Sequence, residues 1–188
     1  MVHEGAETVL LLAPDEPGFW PHVTAQPEFA DGAKDPLDRW SKRVIGALAA
    51  AHGGRAIFPS DGPPYPPVFR WALASGEAFS APVGMMVHVR MGLMASLRGA
   101  LALPGALPLP DPAPHPCTEC AAPCRTACPV AALGPEGYNT AACHAFLNTA
   151  EGANCLSGGC LARRACPLSK SYGRLAEQSA WHMRQFHK

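Results

Sequence analysis

The residues of this chain that could do chemistry are its cysteines. Eight cysteines occur among 188 residues, and all of them follow residue 116. The densest run is Cys117-Thr-Glu-Cys120-Ala-Ala-Pro-Cys124-Arg-Thr-Ala-Cys128-Pro129. Thiolates spaced by two or three residues in one loop can converge on a 4Fe-4S cubane, and a proline after the last cysteine directs that thiolate to another cluster. The run therefore predicts an iron–sulfur site.

A second, looser set of cysteines follows, and it ends on a Cys-Pro pair at Pro167 that repeats the pair of the first loop. The repeat indicates two loops that exchange their last ligands. We therefore predict a first 4Fe-4S cluster on Cys117, Cys120, Cys124 and Cys166. A second 4Fe-4S cluster takes Cys128, Cys143, Cys155 and Cys160. This partition uses all eight thiols.

Three other interpretations of the cysteines stay open. A structural zinc site prefers two Cys-x-x-Cys pairs, and only one, Cys117 with Cys120, is present. Disulfides require an oxidising compartment, whereas the N-terminal segment lacks the basic start and apolar run of an export signal. A single cluster with four spare cysteines is the closest competitor, because the second set lacks compact spacing.

Composition excludes some classes of partner and location. The chain carries 15 basic and 15 acidic residues, and this zero net charge argues against electrostatic binding to nucleic acid or to an anionic membrane. No segment approaches the roughly 20 apolar residues of a membrane helix. We therefore expect a soluble, cytoplasmic protein without nucleic-acid or membrane partners.

The positions of the prolines suggest how the chain is divided. Residues 104–116 contain six prolines in 13 positions, which is typical of an extended linker. We predict a small α+β domain over residues 1–103, this linker over 104–116, and an iron–sulfur module over 117–188.

The elements of the first domain follow from local patterns. The sequence predicts a helix that begins after Asp35 as N-cap and ends at Gly53-Gly54. A short helix is expected to end near Gly76. Strands are predicted over Thr8–Ala13, Ala56–Phe58, Met85–Met91 and Ser96–Leu103. The last two strands are expected to pair through a turn at Gly92, which gives an α+β layer structure.

Two helices are predicted in the cysteine half. Asn139 is a plausible N-cap for a helix that runs to Glu151 and carries Cys143. Apolar residues at steps of three and four, from Tyr172 to Phe186, predict a second helix packed on the core.

The cysteine region resembles a known family at these motifs. It is similar to two-cluster bacterial ferredoxins and, more closely, to the ferredoxin domain of epoxyqueuosine reductases. The segment Ala141-Ala-Cys-His-Ala-Phe-Leu147 is similar to the helix whose lone cysteine ligates that family's second cluster. The segment Gly159-Cys160-Leu-Ala-Arg-Arg-Ala-Cys166-Pro167 resembles its second loop, with Cys155 standing in for an absent middle cysteine. The resemblance implies a two-cluster, ferredoxin-like module.

Upstream residues resemble the corrinoid-handling domain of the same reductases and the cobalamin-processing proteins of the cblC type. The segments are Asp35-Pro-Leu-Asp38 and residues 83–104, which include His88-Val-Arg90-Met-Gly92 and Arg98-Gly99. The resemblance implies a shortened, nitroreductase-like α+β fold and a possible cobalamin. It implies cofactor-binding roles for His88, Arg90 and Arg98.

The same resemblance implies that Asp61, before Gly62-Pro63-Pro64, is a catalytic acid. From the residues alone, Asp61 before a glycine is by default a turn-forming residue. His88 fits a strand residue that faces solvent or accepts one hydrogen bond, and Arg90 and Arg98 fit surface cations.

The function expected from this pattern is one-electron transfer by an iron–sulfur protein to or from a redox partner protein. Arg125, Arg163 and Arg164 lie in or beside the cysteine loops, where they could raise a cluster's potential or dock an acidic partner. The alternative is a corrinoid-dependent reductase or cobalamin-processing enzyme, in which the clusters supply electrons to cobalt. The sequence leaves open whether the chain is itself an enzyme.

Overall fold

The fold divides into two compact units. In the computed structural model, which describes residues 5–188, the first unit extends to Ala74 and resumes over Ser96–Pro112. The second unit comprises Ser75–Ala95 and Ala113–Lys188. Residues 1–4, part of the segment expected to lack an export signal, lie outside the described residues.

This division differs from the predicted domain ranges. Ser75–Ala95, assigned from sequence to the N-terminal domain, belongs to the unit that carries the cysteines. The reason is packing, because Val83, Val87 and Leu93 share one hydrophobic cluster with Cys124 and Cys166. The proline-rich segment is likewise shared between the units, since residues 104–112 belong to the first and 113–116 to the second.

The described part of the chain contains nine helices and seven strands. The helices are α1 Phe19–Thr24, α2 Pro27–Ala30, α3 Pro36–Ala51, α4 Val68–Ala74, α5 Thr140–Leu147, α6 Ala153–Gly158, α7 Leu161–Ala165, α8 Pro167–Ser171 and α9 Ala176–Phe186, and Pro123–Arg125 forms a 3-10 turn. The strands are β1 Thr8–Leu12, β2 Arg55–Ile57, β3 Ala78–Ser80, β4 Met86–His88, β5 Gly99–Leu103, β6 Leu133–Gly134 and β7 Gly137–Tyr138. This mixture confirms the α+β class. No helix among the described residues has both the length and the apolar character of a membrane span.

The first unit is built on a three-stranded antiparallel sheet in the order β1-β5-β2. Strand β5 is central, and its register places Thr8 opposite Leu103 and Leu12 opposite Gly99. Helix α3 covers the sheet, with Ile45 and Ala49 packed against Leu101. An amphipathic helix on one face of a small sheet gives this unit its core.

One local prediction, the pairing of two strands, was wrong. Strands β4 and β5 do not pair, because β4 pairs with β3 and β5 lies between β1 and β2. A tight turn follows β4. In it, the N–H of His88 donates to the carbonyl oxygen of Gly92 at 3.0 Å, and the N–H of Gly92 donates to the carbonyl oxygen of His88 at 2.8 Å. Asp35 is the N-cap residue of α3, as predicted; its backbone is left-handed and its side chain makes no cap hydrogen bond. Its carbonyl oxygen instead accepts the N–H of Arg39 at 3.0 Å.

The second unit consists of short helices and the two hairpins β3-β4 and β6-β7. The side chain of Asn139 accepts the N–H of Ala142 at 2.9 Å, which confirms the predicted cap of α5. This helix ends at Leu147 rather than at Glu151. The predicted helix from Tyr172 begins only at Ala176, because Gly173 adopts a φ of 80° and separates α8 from α9. Helix α9 packs on α6.

Candidate metal centre

Backbone amides point at the sulfurs of the first cysteine loop. The N–H of Ala122 donates to Sγ of Cys120 at 3.4 Å, and the N–H of Ala132 donates to Sγ of Cys128 at 3.3 Å. Ala122 is in the left-handed region at a φ of 49°, where the chain turns into the 3-10 turn. Amide donors of this kind favour a thiolate over a thiol, and they tune iron–sulfur clusters.

Helix α7 brings the second loop to the first. It packs against the 3-10 turn that carries Cys124, and Cys160 and Cys166 flank the helix at its two ends. Cys124 and Cys166 are both buried in one hydrophobic cluster, and Cys117 and Cys160 pack against that cluster. Cys166, which is remote from the first loop in sequence, thus shares a hydrophobic cluster with Cys124 of that loop.

The electrostatic neighbours of the first-loop thiols form one group. Burial raises the pKa of the Cys117 thiol, and the negative charges of Cys120, Cys124 and Cys166 raise it further. Burial also raises the pKa of Cys124, where Cys166 is the strongest charged neighbour. Cys117, Cys124 and Cys166 of the first predicted set therefore share one hydrophobic cluster, which Cys160 of the second set also contacts, and Cys120 is a charged neighbour of Cys117 and Cys124.

Three cysteines of the second predicted set also lie together. Helices α5 and α6, which carry Cys143 and Cys155, pack on each other. Burial raises the pKa of Cys155, an N–H donated by Leu161 lowers it, and the charges of Cys160 and Cys143 raise it. These neighbours group Cys155 with Cys143 and Cys160.

Cys128 is connected to this second group through the backbone. Ala132 donates its N–H to the Cys128 sulfur, and its carbonyl oxygen accepts the N–H of Asn139 at 2.8 Å. Asn139 in turn accepts the N–H of Cys143 at 3.2 Å. Cys128 is therefore tied to the start of α5 by three successive hydrogen bonds. This chain of bonds is consistent with its predicted place beside Cys143.

Tyr138 belongs to the same region and was not among the residues predicted from the sequence. Burial raises the pKa of its hydroxyl well above the usual range, and a hydrogen bond with Cys143 and the charges of Cys143 and Cys160 raise it further. Its ring stacks on Phe186 with centroids 6.0 Å apart. No sequence motif marks this tyrosine as a neighbour of the cysteines.

All eight cysteines are free thiols, and each lies in the described part of the chain. Among residues 5–188, no group of three or more His, Cys, Asp or Glu side chains is arranged to hold a single metal ion. Four sulfurs on one zinc would lie about 3.8 Å apart, given a Zn–S bond of about 2.3 Å. In a cubane each thiolate binds its own iron, so its four thiolates lie farther apart than those around one ion.

The predicted upstream site residues do not share one unit. Asp61 and Arg98 belong to the first unit, whereas His88 and Arg90 belong to the second. Asp61 closes a turn, because its Oδ2 accepts the N–H of Phe58 at 2.9 Å and its own N–H donates to the Phe58 carbonyl at 3.0 Å.

His88 and Arg90 form part of a turn in the second unit. The Nδ1 atom of His88 accepts the N–H groups of Arg90 and Met91 at 3.1 and 3.4 Å. Burial lowers the pKa of His88, while Glu77, 3.8 Å away, raises it. The Arg90 side chain is exposed. The histidine therefore stabilises the turn after β4.

Arg98 lines a small pocket in the first unit. Its guanidinium is paired with the carboxylate of Asp38, and its Nε donates to Oγ of Ser41 at 3.3 Å. The pocket has a volume of about 100 Å³, and Lys42 and Phe58 also line it. Asp38 belongs to the segment Asp35-Pro-Leu-Asp38, but no sequence pattern predicted it as the partner of Arg98.

The comparisons with known proteins add no relative. No protein-family model, no curated protein and no solved structure matches the chain. The likeness to epoxyqueuosine reductases and cobalamin-processing proteins therefore rests on the short motifs alone.

Proposed function

We propose that this chain is an iron–sulfur electron-transfer protein whose second unit binds two 4Fe-4S clusters. The observation that carries the proposal is the position of Cys166. It lies far along the chain from the first loop, yet it packs in the same hydrophobic cluster as Cys124. Exchange of the last cysteine between two loops requires this arrangement.

The residues around the sulfurs fit such a group. Amide N–H groups of Ala122 and Ala132 donate to the sulfurs of Cys120 and Cys128, which belong to different predicted sets. These donors compensate negative charge on a thiolate and orient it. Each cluster, when bound, would supply a site that gains and loses one electron. The chain's own residues would hold the thiolates, exclude water from Cys124, Cys155 and Cys166, and set the potential.

The finer fold description is part of this proposal. We assign the second unit to a two-cluster, ferredoxin-like module in a reducing, cytoplasmic compartment, and its partner would be a second redox protein. We assign the first unit to a shortened nitroreductase-like domain. Its antiparallel sheet covered by α3 supports the layered part of that assignment.

Electron counting tests the proposed function. The anaerobically purified, reconstituted protein is titrated with dithionite and then with an artificial one-electron acceptor such as cytochrome c. We expect uptake of two electrons per chain, bleaching of the visible absorption, and return of both electrons to the acceptor. A reconstituted protein that takes up no electrons, or that passes none on, would contradict electron transfer.

A corrinoid-dependent reaction is the second candidate function. Arg98 and Asp38, which both lie in the upstream segments that resemble corrinoid proteins, line one pocket of the first unit. Its volume of about 100 Å³ is well below the roughly 300–1,000 Å³ of most small-molecule sites, so we prefer electron transfer. Titration with cob(II)alamin separates the two: a saturable spectral change supports the corrinoid function, and no change at high micromolar corrinoid contradicts it.

A further inference from the structure

Arg164 is folded back from α7 onto α6. Its NH2 group donates to Oδ1 of Asn154 at 2.5 Å. A Cβ atom at position 158 would lie 2.9 Å from its NH1 group and 3.3 Å from its Cζ atom, so the guanidinium covers the backbone of Gly158. The side chain is therefore held against α6, the helix that carries Cys155.

The described residues provide neither an ion-pair partner nor a full set of hydrogen-bond acceptors for the Arg164 guanidinium. No carboxylate in residues 5–188 forms an ion pair with Arg164. Its Nε atom is buried and has no hydrogen-bond partner among those residues. A partly buried cation without a counter-ion, with an unmade N–H hydrogen bond, costs free energy. The arrangement is therefore expected to serve an anion that is bound there.

The nearest anionic chemistry is that of the second cysteine set. Asn154, which holds the guanidinium, directly precedes Cys155, and the backbone N–H of Arg164 donates to the carbonyl oxygen of Cys160 at 3.0 Å. The guanidinium is thus held against the helix that carries Cys155, by a residue adjacent to that cysteine. A cubane with four cysteine ligands is an anion, and its negative charge increases when it accepts an electron.

We propose that Arg164 is the counter-cation of the second cluster and raises its reduction potential. The inference rests on the proposed function. The cation stabilises the reduced state more than the oxidised state, because the interaction grows with the negative charge that it faces. The absence of a side chain at Gly158 leaves room for the guanidinium in this position. Arg125, in the first loop, has an exposed side chain and is expected to contribute little.

Redox titration followed by electron paramagnetic resonance tests the proposal in the full-length, reconstituted protein. The variants are Arg164→Gln, which removes the charge, and Arg164→Lys, which keeps it. Arg125→Gln is the control with the same loss of charge at an exposed site. We expect Arg164→Gln to shift one cluster to a more negative potential and to leave the other unchanged. Arg164→Lys should recover most of that shift, and Arg125→Gln should move neither potential by a comparable amount.

Iron content separates failure of this inference from failure of the proposed function. Wild-type protein with fewer than eight irons would contradict the second cluster itself. Eight irons in Arg164→Gln with both potentials unchanged would overturn the role of Arg164 alone. Loss of four irons in Arg164→Gln but not in Arg164→Lys would support the need for a cation. Loss of four irons in both variants would indicate a purely structural role and would overturn the proposal.

Discussion

At the scale of single residues, what distinguishes the cysteines is which of them lie together. Cys124 and Cys166 are buried in one cluster, while Cys143 and Cys155 lie on two helices that pack on each other. Sequence order alone would place Cys128 with the first loop. The hydrogen bonds through Ala132 and Asn139 instead tie it to Cys143.

Double substitutions test this partition directly. Cys128→Ala with Cys143→Ala removes two ligands of one proposed cluster, so the reconstituted protein should keep about half of the wild-type iron. Cys124→Ala with Cys128→Ala removes one ligand from each cluster, so neither cluster should assemble fully. Iron and sulfide analysis of the two variants measures the difference. A higher iron content in Cys124→Ala with Cys128→Ala than in Cys128→Ala with Cys143→Ala would mean that the two loops do not exchange their last ligands.

The buried thiols also predict how the metal-free protein responds to pH. Burial, and the negative charge of neighbouring thiolates, raise the pKa values of Cys117, Cys124 and Cys155 in the folded chain. A thiol with a raised folded pKa stabilises the fold below the unfolded pKa of about 8.5, and this contribution is lost as the pH rises through the folded value.

The urea concentration at the unfolding midpoint of the metal-free protein should therefore decrease as the pH is raised from 7.5 to 10. The comparison is the iron-loaded protein, whose thiols are already deprotonated by the metal and should show no such fall. Constant midpoints for the metal-free protein over this range would contradict the burial of these thiols.

At the scale of elements, α8 holds the segment Ser75–Ala95 inside the second unit. Oγ of Ser169 accepts the N–H of Leu93 at 2.9 Å. Gly92, at a φ of 56°, lies so close to α8 that an added Cβ would be 2.4 Å from the backbone nitrogen of Ser169. Both the conformation and the contact require glycine there.

Gly92→Ala should destabilise the second unit by about 1–3 kcal/mol, the usual cost of one strained backbone position. The matched control is Gly134→Ala in the same unit, where no atom lies within 4 Å of the added Cβ. Urea unfolding of both variants, with the cluster content held constant, measures the difference. Equal free energies of unfolding for the two variants would show that α8 moves to accommodate the added methyl group.

The sequence was informative wherever a structure depends on neighbours along the chain. Asn139 caps α5, Pro36 begins α3, and the apolar run at Thr8 forms β1, because each depends on local hydrogen bonds or on burial of one face. The partner of β4 depends on residues far away, so the short strand β3 was missed. The repeated Cys-Pro pair was the long-range signal that grouped Cys166 with the first loop. Nothing comparable marked Arg164 or Tyr138, since their roles depend on how separate helices pack.

At the scale of the whole molecule, the two units carry different sets of candidate residues. The second unit holds all eight cysteines together with His88 and Arg90, and the first holds Asp61 and the pair of Arg98 with Asp38. The second unit therefore contains every residue that the proposed electron transfer requires. A corrinoid function would instead depend on the first unit.

Iron and acid-labile sulfide content of the anaerobically purified and reconstituted full-length protein shows how many clusters the chain binds. Eight thiolates in two interleaved sets predict about eight irons and eight sulfides per chain. Cys166→Ala should lower both counts by half, because the remaining cluster keeps all four ligands. Four irons and four sulfides in the unmodified protein, or bound zinc without sulfide, would contradict the account.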